Sequence, residues 1–599
     1  MSPCRSLVLV LVLVGCGHAV DGDELGLGED QDWAASDKAD TVCATGGSYT
    51  TVQSAINAAA AGSTITICAG TFKERLTISK SLTLDGAGAT TILDANKSGS
   101  AITLTGGATL TVKDMTVKNA RTAGISCSSS TLSVSSVTFS SNKASSNGGG
   151  IYASSCALTV SSSTFSTNST SGKGGAIYGT SSSGTIGSSS FTSNKSSSKG
   201  GAVALIGGTV TVDGNTFTTN IGSSGGAVYL EADNDVTNNT FSGNTVTYHG
   251  GGIYSESGDG DYTGNTFTDN YAGEDGGGLY VNTSYAYIAD NDFVGNDALD
   301  DAGALRALSS FAIIENNYFE ANTAGDTAGA VKISHKYGTF TDNVLVDNVA
   351  VTTGGGLYLD EDTTAVDGCT FEGNSAAIGG GMYQSSGWRT TEISDSSFVD
   401  NTASSYGGGL AVSLSPYGVH TTRVEFDGNT AAYGGGVFAD QSGLELENTL
   451  VHWNTATAAG GGLYAASGDT SVVNAVFYRN TAPSGSGLYV SAVTGDGVRN
   501  TQLYKQASGY AVTVASGTLG WEYNNSYLNT VGNFSGMSDP VGTSGNTSAL
   551  PYFYDASNGD FHIYTKSPGY NGGDPDTAYN DADGSRNDMG VFGGPNGAW

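Results

Sequence analysis

The chain has 599 residues, 90 of them glycine and only 8 proline, and a formal net charge of -33 with 23 lysines and arginines. Glycine, serine, threonine and asparagine in such excess do not describe a set of ordinary globular domains and point to repetition instead. The charge repels phosphate backbones and anionic membranes over most of the molecule, which excludes nucleic acid as a partner and suits a soluble protein or one that collects divalent cations.

The N-terminus reads MSPCRSLVLVLVLVGCG: one arginine, an apolar run over residues 7–14, then Gly15 and Cys16. This is the pattern of an export signal and is too short to span a bilayer. Leu13-Val14-Gly15-Cys16 resembles the lipobox of bacterial lipoproteins, which implies cleavage after residue 15 and lipid on Cys16. Gly17 rather than Asp implies the outer membrane. An ordinary secretory signal that happens to contain a cysteine is the alternative. Residues 17–40 hold eight acidic side chains against Lys38 alone, so 16–40 is expected to be a solvated tether. Five cysteines remain besides Cys4 and Cys16. Cys43 with Cys68, and Cys127 with Cys156, lie roughly one repeat apart and are candidate disulfides, with connectivity left open. Without paired C-x-x-C clusters or a histidine-rich tract, no zinc site is expected.

From residue 139 the sequence repeats. Phe-x-x-Asn recurs at Phe139, Phe165, Phe191, Phe217 and onward to Phe477, with Leu345 and Val451 filling two gaps, mostly in steps of 26 residues. The asparagine is present in all fourteen copies, from Asn142 to Asn480. A second signature precedes each following Phe, as in Gly149-Gly150-Ile151-Tyr152 and Gly461-Gly462-Leu463-Tyr464. Helical repeats need helix formers with apolar residues three and four apart, whereas these units alternate in period two between Gly, Ser and Asn clusters. Three short strands per unit, stacked unit on unit, make a parallel β-helix. The residue before the Tyr position is always apolar and must face the core. The Tyr position tolerates Arg306 and Lys332 and is therefore expected to face outward as a ladder. The Phe position is expected inside, with the asparagines forming a side-chain ladder at a turn. Fourteen coils at about 4.8 Å give roughly 65–70 Å of rod.

The alternation of Phe-x-x-Asn with Gly-Gly-aliphatic-Tyr over residues 139–490 resembles the repeat of polymorphic outer membrane proteins, which implies a surface-displayed β-helical passenger, often adhesive. The region after Tyr489 lacks the ten-residue amphipathic strands of a membrane barrel, so lipid is expected to replace it as the anchor. Residues 49–94 are similar to the opening of pectin-lyase-like right-handed β-helices, with a helical cap whose apolar stripe is Val52, Ala55, Ile56 and Ala59. Residues 567–595 resemble the closing segment of bacterial surface β-helix proteins. The expected architecture is all-β: a single-stranded right-handed parallel β-helix of about 26 residues per coil. It divides into signal 1–15, tether 16–40, cap and first coils 41–138, repeat coils 139–490, and final coils with C-terminal cap 491–599.

Fold-mates of this kind include polysaccharide lyases and hydrolases, so catalytic sets must be sought residue by residue. Of the polygalacturonase series only Asp300-Asp301 can be placed: His249 lacks the preceding glycine, no Arg-x-Lys follows, and the Arg-x-Pro-x-x-Arg of pectate lyases is absent. One anomaly stands out. Glu274, Asp300 and Asp326 share a position on three successive coils, and Arg306 and Lys332 replace two tyrosines. These five charges form either a sugar or Ca²⁺ site, with carboxylates as acid and base, or a solvated salt-bridge ladder. Asp581, Asp583 and Asp588, near Asp574 and Asp576, offer hard oxygen ligands for Ca²⁺ or a turn-rich cap. The Tyr ladder could stack on sugars or simply pack coil on coil. Asn-x-Ser/Thr sequences are attributed to chance. The preferred expectation is a monomeric, exported binding or adhesion scaffold on the outer membrane, requiring no cofactor. The alternative is a polysaccharide lyase or glycoside hydrolase acting on an extracellular glycan.

Overall fold

One turn shows how the sequence makes the rod. Ile151–Ser154 and Ala157–Ser161 are strands with alternate residues buried, Thr164–Ser166 follows round a corner, and Ser169–Thr170 is a short fourth strand. Each pairs in parallel with its counterpart one repeat on: Ile151 with Ile177, Thr159 with Thr185, Phe165 with Phe191, Ser169 with Lys195. A slip of one residue would turn every inward side chain outward, so like residues spaced by one repeat fix the register. The computed structural model describes residues 40–334, 337–361 and 364–598. Over them the chain winds as a right-handed parallel β-helix of about 19 turns, with roughly 26 residues per turn. The expected signal, Cys16 and the tether up to residue 39 lie outside the described residues.

The corners depend on left-handed backbone. The residue before each ladder asparagine sits there, as at Thr167, Asp269 and Ala321, each with φ 53°, and at Gly243 with φ 61°. Before the first strand the demand is stricter. Gly148 has φ 65°, and a Cβ on it would lie 2.3 Å from the Ile151 carbonyl oxygen; a Cβ on Gly149 would lie 2.3 Å from the Gly175 carbonyl oxygen. Positive φ at one glycine and close approach of the next turn at the other account for the glycine run.

Inside, the phenylalanines stack in an unbroken column from Phe139 to Phe319, with centroids 4.7 Å apart at Phe139 and Phe165 and 4.6 Å at Phe267 and Phe293. Beside them runs the asparagine ladder. Asn168 Nδ2 donates to the Phe139 carbonyl and to Asn194 Oδ1, both at 3.0 Å, and its main-chain N–H reaches Asn194 Oδ1 at the same distance. A second ladder, absent from the sequence expectations, occupies another corner. Asn215, Asn239, Asn265, Asn291, Asn317 and Asn343 are all buried there, and Asn239 Nδ2 donates to the Val212 carbonyl at 2.9 Å and to Asn265 Oδ1 at 3.1 Å. The free thiol Cys369 continues this row, taking its N–H to Ser396 Oγ at 3.0 Å. These ladders satisfy main-chain groups that the corners would otherwise leave unpaired in a dry interior.

The N-terminal cap is the helix Val52–Ala58, with Val52, Ala55 and Ile56 buried on the first coil. Thr51 caps it, and the Glu74 carboxylate accepts the N–H groups of Val52 and Gln53 at 2.9 and 3.0 Å. Disulfides join Cys43 to Cys68 and Cys127 to Cys156, with Cα separations of 5.0 and 6.5 Å. At the other end an antiparallel hairpin, Phe553–Asp555 with Asp560–Ile563, and the segment after it fold back along the rod. There Asn448 Nδ2 donates to the Val591 and Gly593 carbonyls at 2.8 and 2.7 Å.

Candidate functional site

Tyr152, Tyr178, Tyr358, Tyr383, Tyr464 and Tyr489 of the tyrosine column are partly exposed as expected, but the middle of the column departs from that pattern. Its side chains leave the central core, but Ala204, Tyr229, Tyr254 and Tyr280 form a second apolar cluster in which Tyr229 is fully buried and Tyr254 and Tyr280 are each 7% exposed. The cover comes from the loop that enters the first strand, five residues before each column position. Lys199 Nζ lies 4.5 Å from the Tyr229 ring centroid, and the His249 ring lies 4.8 Å from that of Tyr280. Burial first, then hydrogen bonds to Glu231 and Glu256, drives the Tyr229 phenol far above its ordinary range, so it remains a neutral donor. Lys173 pairs with Glu231 at 2.8 Å, and Lys199 pairs with Glu256.

The same cover overturns the solvated-ladder reading of Arg306 and Lys332, which are each only 8% exposed. They do not pair with Glu274, Asp300 or Asp326. Lys332 Nζ meets Asp301 Oδ2 at 2.6 Å, and Arg306 Nη1 donates to Ser334 Oγ at 3.1 Å and to the Ala307 and Lys332 carbonyls at 3.4 Å, while its Nε is buried without a hydrogen-bond partner. Glu274 lies 3.2 Å from His249 Nε2, and Asp326 accepts Thr352 Oγ1 at 2.7 Å. The sequence pattern found the right turns and chose the neighbouring carboxylate. Asp301 was legible only as one of a pair, because spacing alone does not say that Asp300 stays exposed while Asp301 is the one half-buried against Lys332.

Asp300, Asp301 and Asp326 do converge, with one carboxylate oxygen from each lying within 4.8 Å of the others. Burial, then the charges of Asp301 and Asp326, raises the Asp300 carboxyl above its ordinary range. Asp301 goes the other way: burial opposes its charge, but hydrogen bonds from Lys332 and Thr327 outweigh it and hold the carboxyl low. Two carboxyls with opposed environments are the raw material of acid and base roles, and three converging oxygens suit a hard cation.

Asp581, Asp583 and Asp588 serve the C-terminal turns. Asp581 Oδ1 accepts the N–H groups of Asp588 at 3.1 Å and Gly594 at 2.7 Å, and Asp583 Oδ1 accepts that of Ser585 at 2.8 Å. Burial pushes the Asp588 carboxyl up to about 6.

The exposed aromatics are elsewhere, at the corner between first and second strands. Tyr285, Phe311 and Tyr337 stand in register on three successive turns. The Tyr285 and Phe311 rings stack with centroids 5.9 Å apart, and Phe311 and Tyr337 are 38% and 48% exposed. Arg389 lies 5.6 Å over Tyr337, and along the same corner Trp388 and Tyr417 project with 70% and 61% exposure. Sequence reading missed this row because its members sit at the start of a strand, where no single residue type recurs.

Charge is also divided along the rod: residues 41–200 carry 11 lysines and arginines against 4 acidic residues, whereas residues 201–599 carry 10 against 44. A shallow groove near the N-terminal end is lined by Arg121, Lys143 and Lys195.

This geometry defines a parallel β-helix whose outer corners carry exposed aromatic side chains. The family model described as "Right handed beta helix region" matches residues 130–293 and 202–375. No curated protein matches the chain.

Proposed function

We propose that the protein is a non-catalytic binding or adhesion scaffold of the bacterial cell envelope, exported and held at the outer membrane by lipid on Cys16, with an extended glycan as its ligand. The observation that carries this reading is the row of partly exposed Tyr285 and exposed Phe311 and Tyr337, with Trp388 and Tyr417 exposed further along the same corner. Aromatic faces repeating at the coil spacing offer successive stacking platforms to a polymer lying along the rod. Pairing of their strands with the neighbouring turns holds Tyr285, Phe311 and Tyr337 in register, which lowers the cost of ordering on binding. The test is binding of the purified body to a panel of neutral and acidic polysaccharides, with Phe311→Ala and Tyr337→Ala expected to weaken it at least tenfold together. Unchanged binding in the double variant would remove the row as the site.

The opposed environments of Asp300 and Asp301 favour one alternative, a glycoside hydrolase or lyase acting at that carboxylate cluster, with or without Ca²⁺. Reducing ends or unsaturated products that disappear in Asp300→Ala would establish it over the scaffold reading.

A further inference from the structure

The geometry points to a binding site for a divalent transition-metal ion of the zinc kind at His452 and Asp427, with Glu425 as the residue that orients the imidazole. Glu425 and Asp427 lie on the strand Glu425–Asp427, one residue apart and on the same side, and His452 ends the strand Leu450–His452 directly opposite Asp427 in the next turn. The three offer one donor atom each within 4.8 Å of one another.

A cluster of carboxylates alone would carry no such conclusion, and here the histidine supplies the second observation. Its side chain is only 2% exposed, wedged against Trp453 and Phe561 with ring centroids 4.5 and 5.7 Å away. Nε2 is 2.7 Å from Glu425 Oε1, so in the neutral imidazole this hydrogen bond takes the proton at Nε2 and makes Nδ1 the nitrogen that can bind a metal. Nδ1 is buried with no hydrogen-bond partner and faces Asp427 Oδ1 at 3.6 Å. That separation is too long for a hydrogen bond. It is close to the roughly 3.4 Å between neighbouring ligand atoms around a tetrahedral ion with bonds of about 2.0–2.2 Å. A carboxylate behind a histidine whose other nitrogen is free is the arrangement that holds imidazole ligands on zinc.

His420 gives the contrast within the same protein. It too lies between carboxylates, but Nδ1 and Nε2 are both taken, by Glu392 at 2.9 Å and Glu447 at 3.2 Å, so it forms an ion pair and has no free donor. The mixed nitrogen and oxygen set at His452 selects zinc, cobalt or nickel over calcium and magnesium, which take oxygen ligands. Glu425 and Asp427 remain about one-third exposed, so an ion would reach His452 from the Asp427 side. Sequence reading expected no zinc site, because Asp427 and His452 lie 25 residues apart and meet only through the coil register.

The site is independent of the glycan reading. Its test is calorimetry and thermal melting of the purified protein with zinc chloride, and with cobalt chloride for the visible absorption of the bound ion. One zinc per chain and a raised melting midpoint are expected, with calcium giving neither. Asp427→Asn, a partly exposed change that leaves the core intact, and His452→Gln should both abolish binding, and Glu425→Gln should weaken it by about 10–100-fold. No stoichiometric heat in the unaltered protein, or zinc binding by Asp427→Asn as tight as before, overturns the site. So does binding lost instead in His249→Gln or His420→Gln.

Discussion

Replacing Asn296 by alanine tests whether the asparagine ladder holds the rod together. The side chain is fully buried and takes part in four hydrogen bonds. Nδ2 donates to the Phe267 carbonyl at 2.9 Å and to Asn322 Oδ1 at 3.0 Å, and Oδ1 accepts the N–H of Asn270 at 3.1 Å and its Nδ2 at 2.9 Å. Some of these groups have second partners: Asn322 Oδ1 keeps the Asn296 N–H at 2.9 Å, and Asn270 Nδ2 keeps the Phe241 carbonyl at 2.9 Å. The Asn270 N–H loses its acceptor and the Phe267 carbonyl loses its side-chain donor. An orphaned buried group costs ~1–3 kcal/mol and each lost bond ~0.5–1.5 kcal/mol, so the substitution should destabilise its surroundings by about 2–5 kcal/mol. A solenoid is stabilised by nearest-neighbour interfaces, so the effect should be local and no single unfolding free energy describes it. Hydrogen exchange read by mass spectrometry on peptides from the adjoining turns is the suitable assay. Protection altered by less than ~1 kcal/mol there, or loosened equally at both ends of the rod, would refute the ladder as the main internal brace.

Three further outcomes follow from local geometry. Ala302 and Ala328 occupy the left-handed corner that glycine fills in most other turns, with φ 58° and 60°, so glycine at each should stabilise by about 0.5–1 kcal/mol once its greater freedom in the unfolded chain is counted, as denaturant midpoints would show. The His420 imidazole is raised from 6.5 to about 9, first by its hydrogen bond to Glu447, so its stabilisation is complete below about 6.5 and disappears as pH rises through about 9. His420→Gln should therefore lower the melting midpoint at mildly acidic pH and leave it nearly unchanged above about 9; an equal drop at both would contradict the pairing. Asp581 and Asp583 are taken up by turn N–H groups, so calcium should leave the melting midpoint unchanged, whereas a rise that is lost in Asp588→Asn would place an ion at this end.

The β-helix was legible because its two strongest demands leave few residue choices. Only a flat apolar ring stacks like Phe165 on Phe191, and only a short amide both donates and accepts along the rod as Asn168 does. The left-handed residue before that asparagine was not legible, since Ser, Thr, Asp, Ala, Trp and Gly all occupy it and the ladder beside it offsets their strain. The second ladder was hidden by Ser163, Ser189 and Cys369 standing in the same row. Exposure in the middle of the tyrosine column was misjudged for a different reason: tolerance of Arg306 and Lys332 showed that the position lies outside the core, while the covering loop is a tertiary feature. Lys332 then found Asp301 rather than Asp300 or Asp326, a choice of one residue that spacing alone cannot make. His452 and Asp427 meet only after winding.

Because the joints between turns from Asn142 to Asn480 repeat the same amide bridges, the length of the rod and the chemistry of its surface are separable properties of this molecule. Excising residues 271–296 would bring Asn322 into line above Asn270 and leave a rod shorter by about 4.8 Å, with all remaining joints unchanged in kind. Duplicating such a unit would extend it by the same step. The β-helix thus behaves as a ruler graduated in single turns, on which unit number sets the length of the rod while substitutions at the outer corners change only its surface.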